Sequence, residues 1–221
     1  PEYLRKPQNN FESIGRRLAT GPGSVWDTAG RVSSPWVDQW IDQGTVWASF
    51  LIRVNSTLGS WEGGTSVVFH ESNTAWSTGE TDAARIYSPN SGTKWYLGVG
   101  TSSAELGNMV SGQTHLVVLK FELSTTDGQN NVYAWLDPAP ASLGGPDLAN
   151  GTANASFTGL NSSDLRFKSI ATYLEANTDR VNVDEFRVGL TYADVTPIPE
   201  PTVLSGLAVA AALIAGMRRR K

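Results

Sequence analysis

The clearest strand pattern in this chain is Thr45-Val46-Trp47-Ala48-Ser49-Phe50-Leu51-Ile52-Arg53-Val54. Apolar side chains recur at every second position from Val46 to Val54, which is the period of a β-strand. The intervening positions also carry large apolar residues, Trp47 and Leu51. Because successive side chains of a strand point to opposite faces of its sheet, both faces must be covered. The pattern therefore predicts a central strand.

A second strong strand is predicted at Thr114 to Leu123, and Val132 to Asp137 follows it across a polar stretch, which is typical of a hairpin. Shorter strands, separated by clusters of Gly, Asn, Ser and Pro, are predicted at Ser66 to His70, Ala84 to Tyr87, Lys94 to Val99, Asp164 to Tyr173 and Arg180 to Gly189. No helical pattern is long enough for a parallel crossover. We therefore expect an all-β chain, folded as an antiparallel β-sandwich over residues 1 to 195.

Three segments depart from simple alternation. Residues 1 to 42 show no sustained period, so their structure is left open. Pro138 to Asn161 is rich in Pro, Gly, Ala and Asn, which indicates a long surface loop. In the last strand, Val181 and Val183 share one phase of the alternation, whereas Phe186 and Val188 share the other. The alternation therefore slips at Asp184-Glu185. A β-bulge at that pair is the simplest explanation of the slip.

The composition excludes several classes of function. The chain has 221 residues, a net charge of -4 and no cysteine. Its basic residues are scattered except at the end, so no basic stripe is available for a phosphate backbone, and nucleic acid is not an expected partner. The absence of cysteine removes disulfides, thiolate metal sites and thiol nucleophiles together.

The end of the chain has the pattern of a membrane-inserting tail at residues 196 to 221. Residues 196 to 201 contain three prolines and predict a rigid, extended hinge. Residues 202 to 217 contain no charge, and as a helix they span roughly 24 Å, against about 30 Å for a hydrocarbon core. The basic end, Arg218, Arg219, Arg220 and Lys221, is expected to snorkel and to stay on the cytoplasmic side. A single C-terminal transmembrane helix is therefore predicted.

The tail also resembles a known sorting signal. Pro199-Glu200-Pro201, then an apolar helix, then a terminal basic cluster is similar to the PEP-CTERM signal of Gram-negative bacteria. The resemblance implies export, a precursor anchored in the inner membrane, processing by an exosortase, and final placement at the cell surface or in an extracellular matrix, often beside exopolysaccharide. Since the chain begins at Pro1 with polar residues, we expect a fragment whose export signal lies upstream.

The rest of the chain resembles the laminin-G-like or concanavalin-A-like jelly rolls that often precede such tails. The matching stretches are Thr45 to Val54, His115 to Asp137, and Val183 to Gly189 followed by Ala193 to Val195. The resemblance covers most of Thr45 to Thr196, and it implies either a glycan-binding module or an enzyme that acts on polysaccharides.

A glycoside hydrolase is the sharpest enzymatic hypothesis, because that fold family includes endoglucanases with two carboxylates on one strand. Retaining hydrolysis needs two carboxyl groups about 5 Å apart. The chain offers only Asp184-Glu185, with Arg187 and Gly189 where further acidic residues are wanted. Neighbouring strand residues point to opposite faces unless a bulge intervenes. We therefore assign no catalytic residue, and we favour a structural role for the pair.

Binding residues are easier to nominate. Eight tryptophans and six tyrosines suggest sugar stacking, and the three that lie beside polar turn residues are Trp61, Trp76 and Trp95. The alternative is that most aromatic residues fill the core, as expected for Trp47 and Trp135. The resembled family often holds calcium, for which the candidate ligands are Asp27, Asp137, Asp147 and Asp184. His70 and His115 have no partner at metal-ligand spacing and are expected to be packed or half-exposed side chains.

Three functional hypotheses remain. The favoured one is an exported, non-catalytic surface or matrix module that binds a polysaccharide. The alternatives are a polysaccharide-active enzyme and an envelope protein without a ligand. Fold resemblance does not choose between them.

Overall fold

The structure is a computed structural model that describes residues 12–20, 22–33, 40–55, 65–71, 82–89, 92–139, 142–143, 145–174 and 181–196. The predicted hinge after residue 196, transmembrane helix and basic end lie outside the described residues. Every helix in the described part of the chain is a single short turn, and none has the length and apolar character needed to cross a bilayer.

The described strands form two sheets in which all pairings are antiparallel. The six-stranded sheet contains, in spatial order, β1 (Glu12–Arg17), β10 (Ser169–Leu174), β3 (Thr65–His70), β4 (Asp82–Ser88), β5 (Lys94–Val99) and β6 (Ser102–Asn108). The five-stranded sheet contains β11 (Val181–Gly189), β2 (Gly44–Val54), β7 (Thr114–Leu123), β8 (Asn130–Leu136) and β9 (Ala155–Leu160). Short helices are α1 (Val25–Thr28), a 3-10 turn (Asn150–Thr152), α2 (Ser162–Leu165) and α3 (Tyr192–Val195). The predicted all-β antiparallel sandwich is confirmed.

The main core lies between the two sheets and contains the residues that the alternation placed there. Phe50 and Ile52 of β2 and Leu119 and Phe121 of β7 have no exposed surface, and Val188 of β11 packs against the same cluster. Strand β2 pairs with β11 on one side and β7 on the other, so it is internal, as predicted. The hairpin of β7 and β8 is also confirmed.

A second apolar cluster covers the outer face of the five-stranded sheet. Its fully or almost fully buried members are Trp47, Val118, Trp135, Tyr192 and Val195. The last two belong to α3, which lies on this face, where the Ser49 hydroxyl donates a hydrogen bond to the Val195 carbonyl. Trp47 stacks on Trp135 at 5.8 Å between ring centroids. The outward Trp47 of β2 is therefore buried, because the chain itself packs over it.

The predicted bulge in β11 is present. Asp184 pairs with Leu51 and Arg187 with Ser49, so one extra residue of β11 lies between these pairs. At this bulge, Glu185 has a φ of 52°, a left-handed backbone conformation that non-glycine residues seldom adopt. As a result Phe186 turns inward, where its ring lies 5.1 Å from that of Phe50.

Some predicted boundaries are wrong. The strand expected at Asp164 to Tyr173 begins only at Ser169, because Asn161 and Asp164 form a reciprocal capping box that folds Ser162–Leu165 into a helical turn. The loop expected at Pro138 to Asn161 contains β9, which pairs with β8. Strands β1 and β6 were not predicted, because Gly, Ser and Arg dilute their alternation.

Candidate functional site

The outer face of the six-stranded sheet is divided into two halves. On β3 and β10, Val68 and Ala171 point away from the main core and are nevertheless buried. On β4, β5 and β6 several outward residues are partly exposed or exposed. They include Arg85, Tyr87, Lys94, Tyr96, Ser103 and Glu105. We call these six residues the β4–β6 strip, and it is the candidate functional site.

Cross-strand register brings the side chains of the strip together. Tyr87 is opposite Tyr96, and Tyr96 is in turn opposite Glu105. Residues directly opposite each other on neighbouring strands project from the same face of a sheet. The alternate residues Ile86 and Leu97 point inward and are completely buried. The strip is therefore the solvent-side counterpart of a well-packed inner face, which fixes its backbone.

The strip combines aromatic rings with charged groups. The Tyr87 and Tyr96 ring centroids are 5.7 Å apart, and the Arg85 Cζ lies 4.8 Å from the Tyr87 centroid, within cation-π range. Lys94 Nζ donates a hydrogen bond of 2.6 Å to Glu105 Oε2. That hydrogen bond raises the pKa of Lys94 above its ordinary value. Two aromatic rings are thus bordered by an arginine and an ion pair.

Gly98 makes this arrangement possible. It lies opposite Arg85, and a Cβ atom built at Gly98 would be 2.9 Å from Arg85 Nε and 3.1 Å from Tyr87 Cε1. Side chains almost never approach a Cβ so closely. Glycine therefore allows the Arg85 side chain to lie across β5 beside the Tyr87 ring.

The three tryptophans predicted to stack on sugars have different outcomes. Trp95 is fully buried in the main core, so its assignment as an exposed stacking residue is wrong. It shares its strand phase with Leu97 and Val99, and this alternation outweighs its polar neighbours. Trp61 and Trp76 lie outside the described residues. Trp47 and Trp135 are buried, as expected.

The four candidate calcium ligands each bond to a different backbone amide. Asp27 accepts from Gly23, Asp137 from Leu116, Asp147 from Tyr192, and Asp184 from Glu185. Among the residues that the structure describes, no group of three or more His, Asp or Glu side chains could hold a metal ion. Calcium binding stays a prediction, with no assembled carboxylate site to support it.

Both histidines are buried, in agreement with a packing role. His115 Nδ1 lies 2.6 Å from Asp137 Oδ2, and the His115 side chain is 3% exposed. His70 ends β3 and is 4% exposed.

Asp184 and Glu185 form the bulge of β11. The Glu185 carboxylate lies 3.4 Å from the Arg187 guanidinium, and Asp184 caps the Glu185 amide. These contacts support the structural role that the sequence suggested.

The tyrosines and the arginine of the strip were not nominated from the sequence. Arg85 and Tyr87 share one phase of a predicted strand, and Lys94 and Tyr96 share one phase of the next. That alternation indicates which side chains share a face of the sheet. It is a better signal for outward residues than adjacency to turn residues. The sequence does not show which residues of the two strands lie opposite each other; the structure shows this pairing register.

No protein-family profile matches the chain, and no curated protein matches it in sequence. It is similar to several solved structures. Endo-β-1,4-glucuronan lyase from the fungus Trichoderma reesei is 14% identical, over 88% of this chain and 94% of its own, with a TM-score of 0.49. Galectin LEC-6 from Caenorhabditis elegans is 10% identical, over 82% of this chain and 94% of its own, with a TM-score of 0.40.

The catalytic domain of a glycoside hydrolase family 131 protein from Coprinopsis cinerea is 12% identical, over 76% of this chain and 65% of its own, with a TM-score of 0.41. These solved structures include both enzymes and galectins. Similarity at this level assigns neither a family nor an activity.

Proposed function

We propose that this protein is an exported, non-catalytic surface or matrix module that binds a polysaccharide through the β4–β6 strip. The observation that carries the proposal is the pair of neighbouring, partly exposed tyrosines, Tyr87 and Tyr96, on a sheet face with polar groups at their edges. Exposed aromatic rings supported by a buried inner face form a preorganised surface for a ligand with flat apolar sides.

The chemistry of the strip suits a pyranose. The axial C–H groups of a sugar ring form an apolar patch that packs on an aromatic face, and its equatorial hydroxyls radiate outward. Those hydroxyls meet the Lys94–Glu105 pair, which supplies donors and acceptors, and the tyrosine hydroxyls, which supply both. A carbohydrate chain lying across β4, β5 and β6 would contact both tyrosines.

A glycan array probed with the full chain in detergent tests this proposal. We expect binding to at least one polysaccharide class, and a loss of about tenfold or more, roughly 1.4 kcal/mol, for both Tyr87→Ala and Tyr96→Ala. Tyr133→Ala is the matched control, because Tyr133 is likewise a partly exposed tyrosine but lies on the outer face of the other sheet. Binding that is absent from the whole array, or equally weakened by all three substitutions, would contradict the proposal.

We also propose that the tail sorts the protein to the envelope. The support is the order of the sequence elements, Pro199-Glu200-Pro201, an apolar run and Arg218 to Lys221. A proline-fixed extended segment keeps its backbone accessible to a protease. Intact-mass analysis of protein from hosts with and without an exosortase is the test. A C-terminus near Glu200 only in the first host supports sorting, and retention of the basic end in both contradicts it.

A further inference from the structure

A lysine, a glutamate and an asparagine meet on the outer face of the five-stranded sheet. Lys120 and Glu122 project from β7, and Asn150 begins the 3-10 turn that crosses the same face. Lys120 Nζ donates a hydrogen bond of 3.0 Å to Asn150 Oδ1 and lies 2.7 Å from Glu122 Oε1. Asn150 Nδ2 donates a hydrogen bond of 3.0 Å to the same Glu122 oxygen. Each side chain therefore contacts the other two, and we call them the Lys120 triad.

The triad is largely shielded from water. The Lys120 side chain is 13% exposed and that of Glu122 is 28% exposed. Lys120 Nζ lies 5.6 Å from the Trp47 ring centroid and 5.9 Å from that of Tyr133. Burial by itself would raise the pKa of Glu122, but hydrogen bonds from Lys120, Asn150 and Asn131 and the Lys120 charge outweigh it, so the pKa is lowered. The lowered pKa favours the ionised carboxylate, and the contacts of Glu122 Oε1 with Lys120 Nζ and Asn150 Nδ2 place it between the two nitrogens.

We propose that Lys120 and Asn150 join in an intramolecular isopeptide bond, with Glu122 as the proton carrier. The amine and the carboxamide are already in contact, and Asn150 Cγ is one covalent bond from the oxygen that Lys120 touches. Holding reactants at this separation replaces a bimolecular encounter and contributes a large part of the rate of such reactions. Amines are also established nucleophiles toward carbonyl carbon once deprotonated.

The reaction balances without an oxidant or a cofactor. Glu122 takes a proton from the Lys120 ammonium, and the neutral Nζ attacks Asn150 Cγ. As the Nζ–Cγ bond forms, the Cγ–Nδ2 bond breaks. Nζ loses two protons in total, and both leave with Nδ2 as an ammonium ion. Glu122 is placed for this transfer because one of its oxygens contacts both Nζ and Nδ2.

The product would fasten the segment after β8 to the middle of the sheet. Asn150 lies in the chain that runs from Asp137 to β9, and Trp135 Nε1 already donates a hydrogen bond to Thr152 in that segment. Lys94 and Glu105 form another Lys–Glu ion pair, on the more exposed strip, and within the described residues no carboxamide is hydrogen-bonded to Lys94. It provides an internal comparison: Asn108 lies opposite Lys94 in the strand register, but no hydrogen bond joins that lysine to a carboxamide as it does in the Lys120 triad.

Mass spectrometry of the purified full chain tests the proposal directly. We expect an intact mass about 17 Da below that of the sequence, the mass of one ammonia, and a tryptic map in which cleavage after Lys120 is blocked and its peptide is joined to that of Asn150. Lys120→Arg and Glu122→Gln should each restore the full mass. The matched control Lys94→Arg should keep the deficit. A full intact mass in the unsubstituted chain would overturn the proposal.

The neighbouring sequence offers a competing reaction with the same loss of mass. Asn150 precedes Gly151, and an asparagine before glycine can cyclise to a succinimide by expelling ammonia. That cyclisation does not need Lys120, so it would survive Lys120→Arg, and hydroxylamine would cleave the chain there. Gly151→Ala should slow cyclisation and leave the isopeptide bond intact, since Gly151 has no atom within 4 Å of a built Cβ. A deficit that persists in Lys120→Arg and disappears in Gly151→Ala would assign it to the succinimide and overturn the proposal.

Discussion

The outer faces of the two sheets are built from similar residues and used differently. On the five-stranded sheet, Trp47 and Trp135 are covered by α3 and by the segment after β8, and a second apolar cluster results. On the six-stranded sheet, the half that contains Tyr87 and Tyr96 is partly exposed to solvent. Strand alternation predicts which residues point away from the space between the sheets. These residues are buried where another segment of the chain packs over them, and they stay at the surface where none does.

This comparison separates stability from binding. Substitutions on the covered face should lower the free energy of unfolding, and substitutions on the β4–β6 strip should change ligand affinity with less effect on unfolding. The following predictions test that separation.

Trp47→Ala should have the largest effect on stability. Trp47 has no exposed surface and packs between Trp135 and Tyr192, so truncation leaves a large cavity on the covered face. We expect a loss of about 3 to 5 kcal/mol in the free energy of unfolding, measured by urea titration. Tyr87→Ala, which removes a half-exposed ring, should cost less than about 1 kcal/mol. Equal losses for the two variants would show that the two faces do not differ.

Gly189→Ala should have the next largest effect. A Cβ at Gly189 would lie 2.3 Å from Asp194 Cβ, so α3 has to move away from the end of β11. Overpacking of this kind costs about 1 to 3 kcal/mol, and it should loosen the cover over Trp47. Gly151→Ala is the matched control, because its added methyl group meets no atom. The urea midpoint of unfolding, followed by tryptophan fluorescence, is measured for both variants. An unchanged midpoint for Gly189→Ala would contradict the close packing of α3 against the end of β11.

Gly98→Ala should act on binding more than on stability. Its Cβ displaces Arg85 and Tyr87, whose side chains have room to shift outward, so we expect a destabilisation of about 1 kcal/mol. The geometry of the strip would change with them, and affinity for the bound polysaccharide should fall severalfold. Titration calorimetry measures the affinity. An undiminished affinity would place the ligand elsewhere.

Asp194→Asn should have the smallest effect, and one that depends on pH. Hydrogen bonds from the Thr191 amide and hydroxyl and from the Leu190 amide lower the pKa of Asp194, because they stabilise its charged form. A lowered pKa in the folded state contributes stability that is complete above the ordinary carboxyl range and lost as pH falls through the folded value. We expect Asp194→Asn to cost about 1 kcal/mol or less near pH 7. The difference from the unsubstituted chain should shrink as pH falls below about 4.

Much of the fold follows from the sequence because strand alternation is a local property. Thr45 to Val54 and Thr114 to Leu123 were predicted almost to the residue, and the phase slip at Asp184-Glu185 correctly indicated a bulge. Strand β6 was not predicted, because its sequence, SSAELGN, has few apolar residues and shows little alternation; its pairing with β5 is seen only in the structure.

The candidate site was harder to predict, because it depends on contacts between distant segments. Trp95 was misassigned from its neighbours in sequence, although its phase with Leu97 and Val99 places it inward. Tyr87 and Tyr96 meet only through the register of β4 with β5. Lys120 of β7 contacts Asn150, which lies in the segment after β8, and no periodic pattern in the sequence predicts this contact.

Hydroxyl-radical footprinting of the tyrosines tests most directly whether the open face is the binding face. Tyr87, Tyr96, Tyr133 and the buried Tyr192 are read in one sample, with and without the saccharide that binds best on the array. Binding should lower the oxidation rates of Tyr87 and Tyr96 severalfold, leave Tyr133 unchanged, and leave Tyr192 unreactive throughout. Protection of Tyr133 alone, or unchanged rates at Tyr87 and Tyr96 with the saccharide bound, would contradict the account.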